Sequence, residues 1–171
     1  MKNVFLIGYM GVGKTTIGKK LARALLLEFV DLDVFISVRE GASISNIINS
    51  RGEDYFRILE RDSLLELAKR QNVLVSTGGG VPCYFNNMEV INGLGTSVYL
   101  KMNEKSLVNR LVNNTESRPL IQGMDKDELL TFVNSHLGSR LKFYEQAHIE
   151  FDVLSFNSSK LKELAEKIKL I

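Results

Sequence analysis

Short, wholly apolar runs alternate along this chain with longer stretches in which apolar residues return every three or four positions. Val4-Phe5-Leu6-Ile7, Val73-Leu74-Val75 and Val98-Tyr99-Leu100 are the runs, and continuous apolar runs of that length suit strands buried on both faces. Strands are predicted at roughly 3–8, 28–32, 73–77, 96–101 and 150–155. Ile17, Leu21, Ala24 and Leu25 fall on one face of a helix, because i, i+4, i+7 and i+8 lie together at 3.6 residues per turn. Helices are predicted at about 14–26, 34–39, 44–50, 54–70, 86–92, 104–112, 126–145 and 158–169. The last follows Ser158-Ser159, residues suited to capping, and carries Leu161, Leu164, Ala165 and Ile168 on one face. Such alternation predicts an α/β fold, a parallel sheet with helices on both faces. Ligands in these folds bind outside the carboxyl ends of the strands.

One segment breaks the pattern. Residues 112–123, from Val112 through Arg118-Pro119 to Gly123, are polar and lie between two helical stretches. A loop of that length inside a compact domain suits a lid. Neither internal repeats nor an inter-domain linker interrupt the rest, so 171 residues read as one domain, 1–171.

Composition narrows the function only a little. Apolar content of 44% and charged content of 25% are ordinary for a globular protein. The net charge of +2, without a basic run, argues neither for nor against a nucleic-acid partner; the partners expected are small molecules, with no nucleic acid and no membrane. The single cysteine, Cys83, excludes an internal disulfide and suits a reducing compartment. With only His136 and His148 beside it, an ordinary zinc site cannot be assembled. No apolar run is long enough to span a membrane and no signal-peptide pattern opens the chain, so a cytoplasmic protein is expected.

The chemistry begins at Gly8-Tyr9-Met10-Gly11-Val12-Gly13-Lys14-Thr15. This fits G-x-x-x-x-G-K-[ST] between a predicted strand and a predicted helix, the context in which the pattern is a phosphate-binding P-loop. Its glycines let successive backbone N–H groups turn toward phosphate oxygens, and the helix start adds unpaired N–H groups and a positive dipole end. Lys14 brings a mobile positive charge, and the Thr15 hydroxyl is placed to ligate Mg²⁺. Asp31 and Asp33 close the second strand two positions apart, so both carboxylates are expected to project together at the carboxyl edge, as on an extended chain. One could help hold Mg²⁺ through water, and the other could bind and deprotonate an acceptor hydroxyl. An acidic turn capping the next helix is the plainer alternative. The third strand ends in Ser76-Thr77 rather than in the usual magnesium carboxylate, which makes Asp31 its substitute.

Arg57 and Glu60 are i, i+3 on one helix. An arginine held by a glutamate is a rigid fork for a carboxylate, although the spacing alone favours a routine surface ion pair. Gly78-Gly79-Gly80, at a strand end, allow another molecule to approach the backbone closely. Arg118 could swing over the phosphates as charge develops. Taken singly, Arg118 and Arg140 each read first as ordinary solvated arginines.

Taken together the motifs resemble the shikimate kinase family over nearly the whole chain. Gly8 to Thr16 is similar to the family's phosphate loop, Asp31-Leu32-Asp33 to its D-x-D, and Phe56-Arg57-Ile58-Leu59-Glu60 to its F-R-x-x-E. Ser76 to Gly80 resembles its glycine triplet, Arg118-Pro119-Leu120-Ile121 its lid motif, and Arg140 with Tyr144 and Glu145 its R-x-x-x-Y-E. The resemblance implies ATP-dependent phosphorylation of the 3-hydroxyl of shikimate in aromatic amino-acid biosynthesis. It assigns Asp33, Arg57, Gly79 and Arg140 to shikimate, with Gly78 and Gly80 beside them. It assigns Gly11, Val12, Gly13, Lys14, Thr15, Thr16 and Arg118 to ATP, Arg110 and the segment near Ser155-Phe156-Asn157 to the adenine end, and Thr15 to Mg²⁺, beside the Asp31 read from the strand ends. Lys14, Asp33 and Arg118 become the catalytic set. It further implies a nucleoside-monophosphate-kinase-like P-loop NTPase fold, three-layer α/β/α with strand order 2-3-1-4-5. A substrate-binding subdomain at about 33–61 and a lid at about 112–124 come with it, in a monomer. Ile47-Ile48 and His148 depart from the family's usual residues. Another small P-loop kinase, of gluconate or nucleotides, is the nearest competing reading. A nucleotide-dependent switch is the next, and it lacks the N-K-x-D motif such proteins want.

Overall fold

The computed structural model describes residues 2–112 and 119–171. Three fully buried segments form the centre of the sheet: β1 (Asn3–Ile7), β3 (Val73–Ser76) and β4 (Gly95–Lys101), which is exposed only at Lys101. The edges are β2 (Glu28–Asp31) and β5 (Ile149–Asp152). In β5, Ile149 and Phe151 turn inward while Glu150 and Asp152 face out, the alternation of a half-covered edge strand. All pairings are parallel and the order is β2-β3-β1-β4-β5. The α/β/α P-loop architecture expected from the sequence is the one adopted.

Parallel neighbours require crossovers, and helices supply them: α1 (Lys14–Leu25), α2 (Leu32–Glu40), α3 (Ile44–Arg51), α4 (Glu53–Ala68), α5 (Asn87–Leu94), α6 (Glu104–Leu111), α7 (Lys126–Tyr144) and α8 (Ser158–Lys169). Helix α1 packs on β2, β3 and α8, whereas α5 packs on β4 and α4. Ile17, Leu21 and Leu25 of α1 enter the core, as the periodicity predicts, but Ala24 is exposed and Ala22 is buried in its place. Asn3 is a polar exception within the sheet. Its amide donates to the carbonyls of Ala68 and Arg70 and accepts from Val73 N–H, tying the end of α4 to the start of β3.

Several boundaries moved for local reasons. Helix α2 begins at Leu32, two residues early, because Asp31 caps it by accepting from the N–H groups of Asp33 and Val34. Asp33 therefore stands in a first helical turn and not on an extended strand. Helix α8 is capped by Asn157, whose side chain accepts from Lys160 N–H, and not by the serines after it. Two 3-10 turns were not foreseen, at Val81–Cys83 and Pro119–Ile121. The second falls within the expected lid, and Ile121 is fully buried there. Residues 113–118, with Arg118, lie outside the described residues.

Candidate active site

The loops after β1, β2 and β3 open at one carboxyl edge, around a cleft of about 580 Å³. The P-loop forms one wall. Gly11 and Gly13 have φ of 80° and 102°, which side-chain-bearing residues rarely adopt, and Gly13 leads directly into α1. The Lys14 ammonium donates to the carbonyls of Gly8 (2.7 Å) and Tyr9 (3.0 Å), so it lies across the mouth of the loop. Lys14, Thr15 and Thr16 all line the cleft. Val12 contributes main chain only; its side chain is in the core and its carbonyl accepts from Arg110 Nη1 at 3.0 Å. Arg110 itself lines the cleft from α6. Phe156 and Asn157 sit with Lys20 around a separate hollow of about 160 Å³.

Asp31 forms the floor and combines both roles that the sequence left open. One carboxylate oxygen caps α2, and the other accepts from the Thr15 hydroxyl at 2.8 Å. Asp31 is the register partner of Ser76 on β3, so the carboxylate missing from the end of β3 is supplied at the same level by the adjacent strand. Ser76 and Thr77, in its place, are buried, and Thr77 bonds the Leu6 carbonyl through both its N–H and its hydroxyl.

Asp33 lines the same cleft. Its Oδ1 is buried without a partner among the described residues. Burial raises its pKa above the ordinary carboxylate range; Asp31 adds to this, and Lys14 and Arg57 oppose it. A carboxylate so placed is short of a hydrogen-bond donor.

Arg57 approaches from α4. Its guanidinium bonds Glu60 at 2.5 Å and Glu53 at 2.7 and 3.2 Å, and lies 4.2 Å from the Tyr84 ring centroid. Burial disfavours its charge, but Glu60 and Glu53 more than offset this and its pKa is raised. Glu60 is only 2% exposed, and burial lifts its pKa to about 7 against the pull of Arg57. Arg57 is thus an oriented fork, as the i, i+3 spacing suggested. Glu53, one turn earlier, could have been found by the same spacing rule, whereas Tyr84 comes from another part of the chain and could not.

The glycine triplet fits these groups closely. A Cβ at Gly80 would lie 2.7 Å from Arg57 Nη1, and one at Gly78 would lie 2.9 Å from Glu60 Oε1 and 3.0 Å from Asp33 Oδ1. At Gly79 it would stand 3.5 Å from Arg140 Nη1 and 3.5 Å from the Gly8 carbonyl. Side chains of the same chain therefore take up the close approach that the glycines allow. P-loop, aspartates, both arginines and triplet meet at one edge.

The family model for shikimate kinase matches residues 10–169. The chain belongs to the shikimate kinase family. It is 48% identical over 152 residues to a shikimate kinase of Parabacteroides distasonis, covering 89% of this chain and 88% of the relative. A shikimate kinase of Bacteroides fragilis is 46% identical over 148 residues, covering 86% and 83%. Among solved structures, the shikimate kinase of Bacteroides thetaiotaomicron superposes with a TM-score of 0.90 at 39% identity, covering 99% of this chain and 97% of that one. The Acinetobacter baumannii enzyme in complex with shikimate gives 0.82 at 34%, covering 99% and 91%. A gluconokinase of Sinorhizobium meliloti, at 17% identity and a TM-score of 0.53, shares the fold alone. Family membership makes this chain a kinase that transfers phosphate from ATP to shikimate. No helix among the described residues is long and apolar enough to cross a membrane.

Proposed function

We propose that the chain performs the shikimate kinase reaction with the residues gathered at this edge, in a division of labour between two walls of one cleft. The observation that carries this reading is the pairing of an unpartnered buried carboxylate, Asp33, with two arginines against a glycine triplet, beside a P-loop. Shikimate bears one carboxylate and several hydroxyls. Arg57 and Arg140 grip the carboxylate in this reading, with Gly78, Gly79 and Gly80 beneath the ring. Asp33 Oδ1 takes the 3-hydroxyl, which supplies the donor that oxygen lacks. Accepting that proton frees the alcohol oxygen to attack the terminal phosphorus of ATP, and ADP leaves.

Gly11, Gly13 and the start of α1 offer backbone N–H groups to the phosphates, and Lys14 exchanges its carbonyl partners for phosphate oxygens. Arg110 holds the nucleotide side. Arg118, which the family motif places over the phosphates, lies in residues 113–118. Phosphoryl transfer asks the protein mostly for position and charge neutralisation, and these groups provide both.

The residues fit Mg²⁺. Thr15 gives its proton to Asp31, which leaves its oxygen lone pairs for a cation, and Asp31 stands close enough to hold a metal-bound water. Among the described residues no group of three or more acidic, histidine or cysteine side chains could form a dedicated cage, which suits a metal bound through one or two protein oxygens and the substrate. Bound there, Mg²⁺ would neutralise charge on the phosphates. The chain acts as a cytoplasmic monomer in this reading. The α2–α4 block, about 33–61, serves as the substrate-binding subdomain and about 112–124 as the lid.

The experiment is ADP release from Mg-ATP with shikimate, gluconate and nucleoside monophosphates offered in parallel. Only shikimate should stimulate it. Arg57→Ala should weaken shikimate binding about ten- to a hundredfold, the worth of one charge-assisted pair, with ATP affinity unchanged. Equal loss toward both substrates would remove Arg57 from the acceptor site.

A further inference from the structure

Helix α7 touches both halves of the active site along one stripe. His136, Arg140 and Tyr144 are spaced i, i+4, i+8, so they stand one above another on a single face. His136 Nδ1 shares a 2.8 Å hydrogen bond with the hydroxyl of Tyr9, inside the P-loop. The Tyr9 ring is buried and meets the His136 ring edge-on at 5.5 Å, and Phe132, one turn earlier, packs on the other side of the imidazole at 4.8 Å. Tyr144 is fully buried and donates to the Gly79 carbonyl at 2.7 Å. Arg140 lies between them, beside Gly79. The Cβ position of Gly79 is within 3.6 Å of the Gly8 carbonyl and the Met10 N–H. Donor loop and acceptor loop are thus nearly in contact, and each is tied to the same helix by one tyrosine hydroxyl.

We propose that His136 and Tyr144 are positioning residues, which make α7 a rigid bar fixing the distance between the P-loop and the glycine triplet. Neither touches the reacting atoms. His136 acts through Tyr9, whose carbonyl, with that of Gly8, also holds Lys14. Tyr144 acts through the Gly79 carbonyl, and its hydroxyl also interacts with the Arg140 side chain. The proposal rests on the reading above, in which the P-loop holds the donor and the triplet lies under the acceptor. In-line transfer depends on their separation, and a misplacement of about 1 Å can cost about a hundredfold in rate. A bar that sets the separation affects the chemical step and leaves each substrate's own contacts in place.

The test uses Tyr9→Phe, His136→Ala, His136→Asn, Tyr144→Phe and the Tyr9→Phe/Tyr144→Phe double variant in steady-state assays, with circular dichroism melts to find those that fold. Each folded single variant except His136→Asn should lose about ten- to a hundredfold in kcat, with KM for ATP changed less than about threefold in all of them and KM for shikimate changed less than about threefold in the Tyr9 and His136 variants, since only Tyr144 also interacts with Arg140. His136→Asn keeps a polar atom near the Nδ1 position and should restore most of what His136→Ala loses. The double variant should be no worse than the poorer single, because a bar released at one end no longer sets the distance. Unchanged kcat in folded single variants would overturn the proposal. So would losses that multiply in the double variant, or a His136→Asn protein no better than His136→Ala. If Tyr144→Phe does not fold, the Tyr9 and His136 variants decide by their kcat and by the rescue. Arg140→Ala separates the two readings. Unchanged shikimate KM there would sink the acceptor-site assignment, whatever the tyrosine variants do.

Discussion

Asp33 illustrates how a single residue can be costly to the fold and necessary to the reaction. Its Oδ1 is buried and unpartnered, and folding raises its pKa, chiefly through burial. A carboxyl whose folded pKa lies above its unfolded value favours the fold most when protonated. That contribution is complete below the ordinary carboxylate range and is lost as pH rises through it to the raised folded value. Asp33→Asn should therefore melt above the wild-type apoprotein at about pH 8, by a few degrees, since each kcal/mol moves a domain of this size by about 2–4 °C. The difference should shrink toward about pH 4. The same substitution should lower kcat about 10²- to 10⁴-fold. Thermal melts across pH on both proteins check this, and an Asn variant that melts lower at pH 8 would show that the ionised carboxylate is not strained.

The glycine triplet works as an element because at Gly78 and Gly80 a side chain would push against charged groups that other contacts hold in place. Gly80 has φ of −83°, which any residue tolerates, so only space forbids a side chain there. The obstructing atom is Arg57 Nη1, and Arg57 is anchored by Glu53, Glu60 and the Tyr84 ring. Gly80→Ala should therefore fold, retain ATP affinity and lose about tenfold or more in shikimate affinity by displacing the arginine, a loss comparable to one charge-assisted contact. Isothermal titration with shikimate measures it; an unchanged affinity would mean that Arg57 is free to shift. Gly138 on α7 is the counterpart. It is exposed and helical, and a Cβ there meets nothing within 4 Å. Gly138→Ala should raise stability by about 0.4–1 kcal/mol and leave turnover unchanged, read from a melt and an ADP-release assay.

At the scale of the whole molecule the substrates themselves should hold the fold together. Shikimate and Mg-ADP, each at about a hundred times its dissociation constant, should each add about 2.7 kcal/mol, about 5–10 °C in a domain of this size. Lys14→Ala should lose most of the nucleotide's increment and keep that of shikimate. Loss of both would show that the two walls of the cleft are not separable. Which parts of this design the sequence announces follows from distance along the chain. The P-loop is readable because strand, glycines and helix are contiguous, and the Arg57–Glu60 pair because helical spacing is periodic. The Tyr144–Gly79 and Tyr9–His136 contacts span 65 and 127 residues, and no local pattern encodes them. The helical setting of Asp33 is hidden in the sequence because capping and metal binding look like alternatives at Asp31, whose two oxygens serve both.

The sheet order also has a consequence for the birth of the protein. The P-loop is made before the strands that flank it, since β1, which carries it, lies between β3 and β4. Its partners begin at Val73 and Gly95, and the helix that grips Tyr9 ends at Tyr144. The nascent loop must therefore wait, unsupported, until both flanking strands and α7 have been synthesised. The portion of the catalytic apparatus made first is among the last to be finished.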